Sequence, residues 1–345
     1  MNIHSIIRLI KWRFGKLFYN QEQRLWQKTL FTNEDFKNGK LVPLKEYRKD
    51  LPISTYNRKR VVYICDKKIS NCGLADRLKG IISIYEICCE LNYDFKILFN
   101  FPFTLTDFLI PNSHNWYITY KDLNYNPENT DICYIYSIAG TKNEALRQKA
   151  WFMKEFKKNY NEFHIRTNAR IFDDNKFPIL FKRLFKLSER LHTSVDTQLR
   201  ILGTNYISTS FRFMNLLNDF NETDIQECCL SELQKKELIE QNISQLERLH
   251  RKHPNMIILV NSDSITFLSE AKRLKYVYII PGNITHIDGK NETDAYENYE
   301  KTFLDFFMIA NAQKIYLLRT GKMYKSGYPG IASLINNVPY EIIEF

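Results

Sequence analysis

Short apolar runs alternate with amphipathic segments from Met256 to Phe345, and this alternation constrains the fold more than any other feature of the sequence. Met256-Ile-Ile-Leu-Val260 is too short for a helix and rich in β-branched residues, which predicts a buried parallel strand. The same pattern predicts further strands at 276–280, 314–318 and 340–343, separated by helices at 265–274, 296–311 and 329–335. Strands that alternate with helices predict an α/β fold with a parallel sheet covered on both faces.

Polar side chains collect in the loops after these predicted strands. They are Ser262, Asp263, His286, Asp288, Arg319, Ser326 and Gly327. Doubly wound sheets hold ligands in the crevice outside the carboxyl ends of their strands, so we predict that this edge of the sheet is functional. A loop histidine such as His286 can also be simply exposed, and Ser326-Gly327 can equally be an ordinary turn.

The chain is long enough for two domains, because 345 residues exceed the size at which a single core keeps growing. Residues 60–65, 74–91 and 95–99 predict a β-α-β unit. Leu202-Gly-Thr-Asn205 breaks a helix and marks a boundary, after which 206–212 predicts a strand. The predicted organisation is a basic N-terminal helix at 1–20, a linker at 21–58, and two Rossmann-like α/β domains at 59–203 and 204–345.

The pattern is weaker between residues 107 and 200. It predicts strands at 116–119 and 132–136 and helices at 144–160, 178–185 and 188–201. His164-Ile165-Arg166 follows a predicted helix and lacks a β-rich run, so we expect this triplet to lie on the surface.

The sequence is basic, with 49 Lys and Arg against 39 Asp and Glu and a net charge of +10. Such a charge favours an anionic partner such as a nucleotide or a membrane surface, or it serves only solubility. Residues 1–18 place Ile and Phe at helical spacing among basic residues, which predicts a helix on an anionic membrane surface or one docked on the first domain. No recognisable nucleic-acid module is present, so we expect no nucleic acid as a partner.

Sequence motifs narrow the chemistry further. The seven cysteines include the adjacent pairs Cys88-Cys89 and Cys228-Cys229 but no C-x-x-C, which predicts reduced thiols in a cytoplasmic protein and no structural zinc. The chain has no D-x-D, no G-x-G-x-x-G and no G-x-x-x-x-G-K-[ST], which argues against a dinucleotide enzyme or a P-loop ATPase.

Two α/β halves that face each other across a cleft suit a transferase that takes an activated sugar from one half and an acceptor from the other. The diphosphate leaving group of a nucleotide-sugar gains negative charge in the transition state, and without D-x-D an arginine or helix N-termini must neutralise it. Arg212, at the end of a predicted strand, fits that need, as does the loop from Ser326 to Tyr328. Asn71, Gly73, Asp76 and Arg77 form a second strand–helix junction, although the helix dipole alone also explains Asp76.

Three segments carry a resemblance to a known family. Gly73-Leu-Ala-Asp-Arg-Leu resembles the G-L-G-D-R-L segment of the nodulation-type fucosyltransferases, which belong to a superfamily of α-1,2- and α-1,6-fucosyltransferases. Ser210-Phe-Arg-Phe-Met-Asn215 lies where that superfamily has H-x-R-x-G-D, and Ser326-Gly-Tyr-Pro-Gly-Ile-Ala332 is similar to its S-x-F-x-x-x-A motif. The matches follow the family order and span about residues 60 to 335.

This resemblance implies a GT-B fold, with an acceptor-side domain at 59–203 and a nucleotide-sugar-binding domain at 204–345. It also implies GDP-fucose as the donor, metal-independent inversion at the anomeric carbon, and a glycan or lipid-linked saccharide as the acceptor. The resemblance also implies residue roles. Arg212 grips the diphosphate, Ser262 and Asp263 face the guanine or ribose, and Ser326, Gly327 and Tyr328 contact the phosphates. His286 and Asp288 lie at the donor edge, and Asn71, Gly73, Asp76 and Arg77 lie across the cleft. The acceptor hydroxyl also needs a base, for which we nominate Asp76, although helix capping explains this residue without chemistry.

The sequence also departs from the family motifs. Ser210 replaces the family histidine, Met214 its glycine, Asn215 its acidic residue and Ala75 the second glycine of the first motif. The retained arginine preserves the charge that a diphosphate requires. The replaced residues leave two alternatives open, a glycosyltransferase with another nucleotide-sugar donor and an inactive nucleotide-sugar or glycan-binding protein of the same fold.

Overall fold

A computed structural model describes residues 46–67, 73–135, 141–219, 230–285, 287 and 296–345. The predicted helix at 1–20, most of the predicted linker, and the candidate site residues Asn71, His286 and Asp288 lie outside the described residues. The chain divides into two compact units. The first comprises residues 1–71, 83–99 and 116–171, and the second comprises residues 72–82, 100–115 and 172–345.

This division places in the second unit several segments that precede residue 204 in the sequence. The longest of these segments is 172–203, which belongs to the second unit although it lies before the predicted boundary between residues 203 and 204. The predicted domain limits of 59–203 and 204–345 stay a prediction.

The first unit contains a four-stranded parallel sheet in the order β2-β1-β5-β4. Its strands are β1 (Arg60–Cys65), β2 (Asp94–Phe99), β4 (Thr130–Ile135) and β5 (Glu162–Thr167). The chain passes between β1 and β2 through helix α1 (Leu74–Leu91), which the division into units splits, and between β4 and β5 through α2 (Lys142–Glu155). The Thr141 hydroxyl begins α2 by accepting a hydrogen bond from the Glu144 amide at 3.2 Å.

The second unit contains a five-stranded parallel sheet in the order β11-β10-β7-β8-β9, with β7 at its centre. Its strands are β7 (Tyr206–Phe211), β8 (Ile257–Ser262), β9 (Val277–Tyr278), β10 (Ile315–Arg319) and β11 (Tyr340–Glu344). The helices of this unit are α3 (Phe177–Leu184), α4 (Glu189–Leu202), α5 (Glu232–Lys252), α6 (Ile265–Ala271), α7 (Tyr296–Ala310) and α8 (Tyr328–Ile335). A separate antiparallel pair joins β3 (Leu109–Pro111) to β6 (Phe185–Leu187).

The two faces of the five-stranded sheet differ in polarity. One face contributes Ile207, Phe211, Ile258 and Val260 to an apolar core that α5 and α6 complete. Helix α7 lies against the other face, where the Tyr206 hydroxyl donates to the Met308 carbonyl at 2.6 Å. Strands buried on both faces are typical of a parallel sheet, so the predicted α/β architecture with parallel sheets is confirmed.

Two predictions between residues 107 and 200 are wrong. Residues 116–119 form no strand and make only a single parallel bridge, from Tyr117 to Ile97. His164-Ile165-Arg166 is buried within β5 and is not on the surface. The triplet lacks the β-rich run that predicts a buried strand, but His164 and Arg166 are buried because each binds a buried carboxylate.

No helix in the described part of the chain has both the length and the apolar character needed to span a membrane.

Candidate functional site

An arginine and an aspartate lie side by side where the two central strands of the second unit end. Strands β7 and β8 are parallel, with Phe211 opposite Ser262. The residues that follow are Arg212 and Asp263, and the Arg212 Nη1 lies 3.2 Å from the Asp263 Oδ2. The Arg212 side chain keeps 16% of its surface exposed, while that of Asp263 keeps 3%. The register of the sheet therefore aligns a partly exposed cation with a buried carboxylate.

Asp263 also organises the backbone that follows Arg212. Its Oδ1 accepts the amide N–H of Phe213 at 2.8 Å, and its Oδ2 accepts that of Met214 at 2.7 Å. Burial raises the pKa of Asp263, although Arg212 and the two amides oppose the rise. Both carboxylate oxygens are thus engaged inside the unit, and Asp263 fixes Arg212 and the following turn. The predicted contact with guanine or ribose stays a prediction.

The turn after Arg212 has an unusual backbone at the position where the resembled motif has glycine. Met214 adopts a φ of +54°, in the left-handed region that favours glycine. The Asp263 carboxylate holds the Met214 amide in this turn. Met214 therefore has a backbone conformation that glycine adopts without strain.

The loop between β10 and α8 packs beside the same strand end. The Tyr324 amide donates to the Arg212 carbonyl at 3.0 Å, which fixes the loop to the end of β7. The Ser326 Oγ accepts the Tyr328 amide at 3.3 Å, and Gly327 is exposed at the start of α8, with open space around its Cα. The structure thus brings Ser326 and Gly327 to the edge of the sheet at which Arg212 lies.

Tyr328 packs against other residues of the second unit. Its hydroxyl donates to the Thr302 carbonyl, and its ring lies 5.1 Å from that of Phe306. Burial, together with the charge of Asp305, raises the pKa of Tyr328 well above its usual value. The hydroxyl therefore joins α8 to α7. The predicted contact of Tyr328 with the phosphates stays a prediction.

A buried polar cluster on the α7 face was not predicted from the sequence. The Lys301 Nζ binds the Asp305 carboxylate at 3.0 Å and the Ile280 carbonyl at 2.8 Å. The Asn261 amide donates to the second oxygen of Asp305 at 2.8 Å. Burial raises the pKa of Asp305, and Lys301 opposes the rise. The i, i+4 spacing of Lys301 and Asp305 was visible in the sequence, but it resembles an ordinary surface pair.

The residues of the first motif have local roles. The Gly73 carbonyl accepts the Arg77 amide at 3.1 Å as α1 begins. The Asp76 carboxylate pairs with Lys79 at 2.5 Å and has a third of its side chain exposed. The Arg77 guanidinium is buried, with Nη1 on the Phe101 carbonyl at 2.6 Å and Nη2 on the Ile287 carbonyl at 2.8 Å. Arg77 therefore ties two loops of the second unit to the start of α1.

Ser262, the last residue of β8, is likewise engaged locally. Its buried hydroxyl accepts the Ser264 amide at 3.1 Å, and Ser264 in turn caps α6. This bond shapes the turn that carries Asp263. The predicted contact of Ser262 with guanine or ribose stays a prediction.

The sheet of the first unit carries a second Asp–Arg pair at the carboxyl end of neighbouring strands. Asp66 follows β1, and Arg166 is the next-to-last residue of β5. The Arg166 Nη2 lies 2.7 Å from the Asp66 Oδ2, and both side chains are buried. The pair was not predicted from the sequence, because Arg166 was expected on the surface.

Comparisons with known proteins identify the fold. Neither a described protein family nor a curated protein sequence matches the chain. Among solved structures, the chain is similar to NodZ α-1,6-fucosyltransferase soaked with GDP-fucose, with a TM-score of 0.54, 14% identity, and coverage of 84% of this chain and 95% of that one. The fucosyltransferase NodZ from Bradyrhizobium gives a TM-score of 0.53, 14% identity, and coverage of 84% and 96%.

A plant enzyme shows the same likeness over more of this chain. An arginine-to-lysine mutant of Arabidopsis thaliana FUT1 in complex with GDP gives a TM-score of 0.51 and 10% identity, and the alignment covers 90% of this chain and 74% of that one. The chain therefore has the GT-B-type α/β fold of these fucosyltransferases, and the resemblance predicted from three short motifs is confirmed at the level of the fold.

Proposed function

We propose that the protein is a glycosyltransferase that transfers fucose from GDP-fucose to a glycan or lipid-linked saccharide, with inversion and without a metal ion. The observation that carries the proposal is the Arg212–Asp263 pair at the carboxyl end of β7 and β8. The fold adds support, because solved structures of the same fold were obtained with GDP-fucose and with GDP.

The charge of Arg212 suits the departure of a nucleoside diphosphate. Negative charge grows on the diphosphate as the bond to the anomeric carbon breaks, and a pre-oriented guanidinium stabilises that charge. The ion pair with the buried Asp263 restrains Arg212, so the guanidinium need not reorganise during the reaction. Backbone amides near Ser326 and Gly327 would add further donors to the phosphates.

The acceptor hydroxyl must lose a proton as it attacks the anomeric carbon. We propose Asp76 as the base, since its carboxylate is partly exposed in the first turn of α1. The bond from the acceptor oxygen to the anomeric carbon forms as the bond to the GDP oxygen breaks, and the proton passes to the Asp76 carboxylate. Asn71, Gly73, Arg77, His286 and Asp288 are proposed to line the donor and acceptor sites, as the resemblance implies.

One observation favours a second candidate, a transferase for another nucleotide-sugar. Ser210 stands where the resembled motif has histidine, and its hydroxyl is buried without a hydrogen-bond partner among the described residues. A serine is shorter than histidine and cannot reproduce its contacts. The donor sugar or base would then differ from that of the family, while Arg212 would keep its role at the diphosphate.

Nucleotide-dependent thermal unfolding tests the proposal. A ligand at 100 times its dissociation constant stabilises the folded state by about 2.7 kcal/mol, which a thermal shift detects. GDP, UDP, CDP and ADP are each added with and without EDTA, to the wild type and to Arg212→Ala. Arg273→Ala is the matched control, because Arg273 follows the C-terminal end of α6, pairs with Glu270 at 2.5 Å and is not among the predicted site residues.

We expect protection by GDP that is insensitive to EDTA, is lost in Arg212→Ala and persists in Arg273→Ala. Protection by UDP that requires manganese would overturn the proposal. Release of fucose from GDP-fucose in the same samples separates an enzyme from a binding protein, because a binding protein protects without turnover.

We further propose that the protein works in the cytoplasm in the synthesis of a surface polysaccharide, with residues 1–18 drawn to the anionic inner face of the membrane. The basic, amphipathic sequence of these residues supports this. Sedimentation with vesicles of phosphatidylcholine and phosphatidylserine, compared with phosphatidylcholine alone, tests it. Equal binding to both vesicles, or to neither, contradicts it.

A further inference from the structure

We propose that the Asp66–Arg166 pair of the first unit binds hydroxyl groups of a neutral saccharide, and so forms part of the acceptor site. This inference rests on the proposed glycosyltransferase function. It specifies the chemical class of the saccharide acceptor and names two residues that bind it.

The position of the pair matches that of a ligand site in a parallel α/β sheet. Strands β1 and β5 are neighbours, and both residues lie at their carboxyl ends. That edge is where sheets of this class hold ligands. The side chains keep only 2% and 3% of their surfaces exposed, so the ion pair lies in surroundings that exclude bulk water.

Arg166 has more donors than the described residues of the first unit satisfy. Its Nη2 binds Asp66, but its Nε and Nη1 are buried and have no hydrogen-bond partner among the described residues. The guanidinium stays protonated in proteins, so Nε and Nη1 remain hydrogen-bond donors. The donors of Arg166 that the described residues leave unmet can therefore bind the hydrogen-bond acceptors of a ligand.

The charge of the Asp66–Arg166 pair determines which class of ligand can accept hydrogen bonds from Arg166. Asp66 already compensates Arg166, so a phosphate or carboxylate would place a second negative charge beside a buried aspartate. A sugar hydroxyl carries no charge and both accepts and donates, so it can accept from Arg166 while it donates to a carboxylate oxygen of Asp66. A neutral, hydroxyl-rich ligand satisfies both partners, whereas an anion satisfies only one.

Saccharide binding in the presence of GDP tests the inference. Lactose, chitotriose and the anionic 3′-sialyllactose are titrated by saturation-transfer NMR against the wild type and Arg166→Lys, which keeps the charge but loses the planar set of donors. Asp66→Asn/Arg166→Gln, a double variant without a buried charge, covers the case in which the single variant does not fold. Arg60→Lys is the matched control, since Arg60 pairs with Asp94 at 3.4 Å at the opposite end of β1.

We expect at least one neutral saccharide to bind the wild type and Arg60→Lys, and to bind the Arg166 variants at least tenfold more weakly. GDP should protect all four proteins from thermal unfolding to the same extent. Unchanged saccharide affinity in a folded Arg166 variant, preference for the anionic sugar, or binding of no saccharide to the wild type would each overturn the inference. Failure of GDP to protect the wild type would instead refute the proposed function.

Discussion

Asp263→Asn isolates the contribution of one buried carboxylate to both stability and donor binding. The substitution preserves the size of the side chain but replaces one oxygen by an NH₂ group, which cannot accept a hydrogen bond. In the wild type, each oxygen of Asp263 accepts a backbone amide, from Phe213 at 2.8 Å and from Met214 at 2.7 Å, and Oδ2 also faces Arg212 at 3.2 Å. The amide side chain of the variant can satisfy only one of the two backbone amides and no longer carries the charge that restrains Arg212.

The magnitude follows from these contacts. A buried amide left without an acceptor costs about 1–3 kcal/mol. Arg212 is partly exposed, so water can solvate its guanidinium once the Asp263 charge is removed. We therefore expect the free energy of unfolding to fall by about 2 kcal/mol, which for a unit of this size lowers the melting temperature by about 4–8 °C. Loss of the restraint on Arg212 should also weaken GDP binding about tenfold, equivalent to about 1.4 kcal/mol.

Thermal unfolding with and without GDP, together with calorimetric titration of GDP, measures both effects. Asp219→Ala is the control, because the Asp219 carboxylate accepts the Ser264 hydroxyl and the Thr266 amide, both at 2.7 Å, and alanine can accept neither. We expect this control to lose stability without losing GDP affinity. If Asp263→Asn loses stability but binds GDP as the wild type does, the reasoning that Asp263 positions Arg212 is refuted.

Two further predictions concern the backbone turn and the first unit. Met214→Gly should raise the free energy of unfolding by about 1 kcal/mol, because glycine adopts the φ of +54° without steric cost, and denaturant titration would contradict this if stability fell. Burial by itself would raise the pKa of Glu162, but hydrogen bonds from His164, Asn124 and Tyr56 outweigh burial and hold this pKa below its ordinary value of 4.5. The stabilisation by Glu162 is therefore complete above about pH 4.5 and is lost as the pH falls through the lowered value, so the melting-temperature gap between wild type and Glu162→Gln should shrink in acid. A gap that widens below about pH 4.5 would contradict this sign.

Local patterns in the sequence predicted most of the elements near the proposed donor site. The apolar run that begins at Met256 became β8, the segment 206–212 became β7, and the helix expected at 329–335 became α8, each within two residues of its predicted ends. Periodicity and end-capping residues are local properties, so a single sequence can reveal them. The place of Arg212 at the end of β7 was predicted for the same reason.

The triplet from His164 to Arg166 shows where such patterns fail. It follows a predicted helix and lacks a β-rich run, yet His164 binds Glu162 at 2.7 Å and Arg166 binds Asp66 at 2.7 Å inside the unit. The partner of Arg166 is 100 residues away in the sequence. Periodicity carries no information about such a partner, and burial of the charges was therefore not predictable.

The sequence by itself determined the alternation of strands and helices, the three family-like segments and the candidate arginine at position 212, because each depends on residues close together in the chain. Only the tertiary structure decided what surrounds that arginine. Strand register placed Asp263 beside it and turned the carboxylate toward two amides, and this arrangement arises from hydrogen bonds between segments about 50 residues apart. Long-range pairing of this kind depends on the whole sheet, since a strand has no neighbour until the fold supplies one.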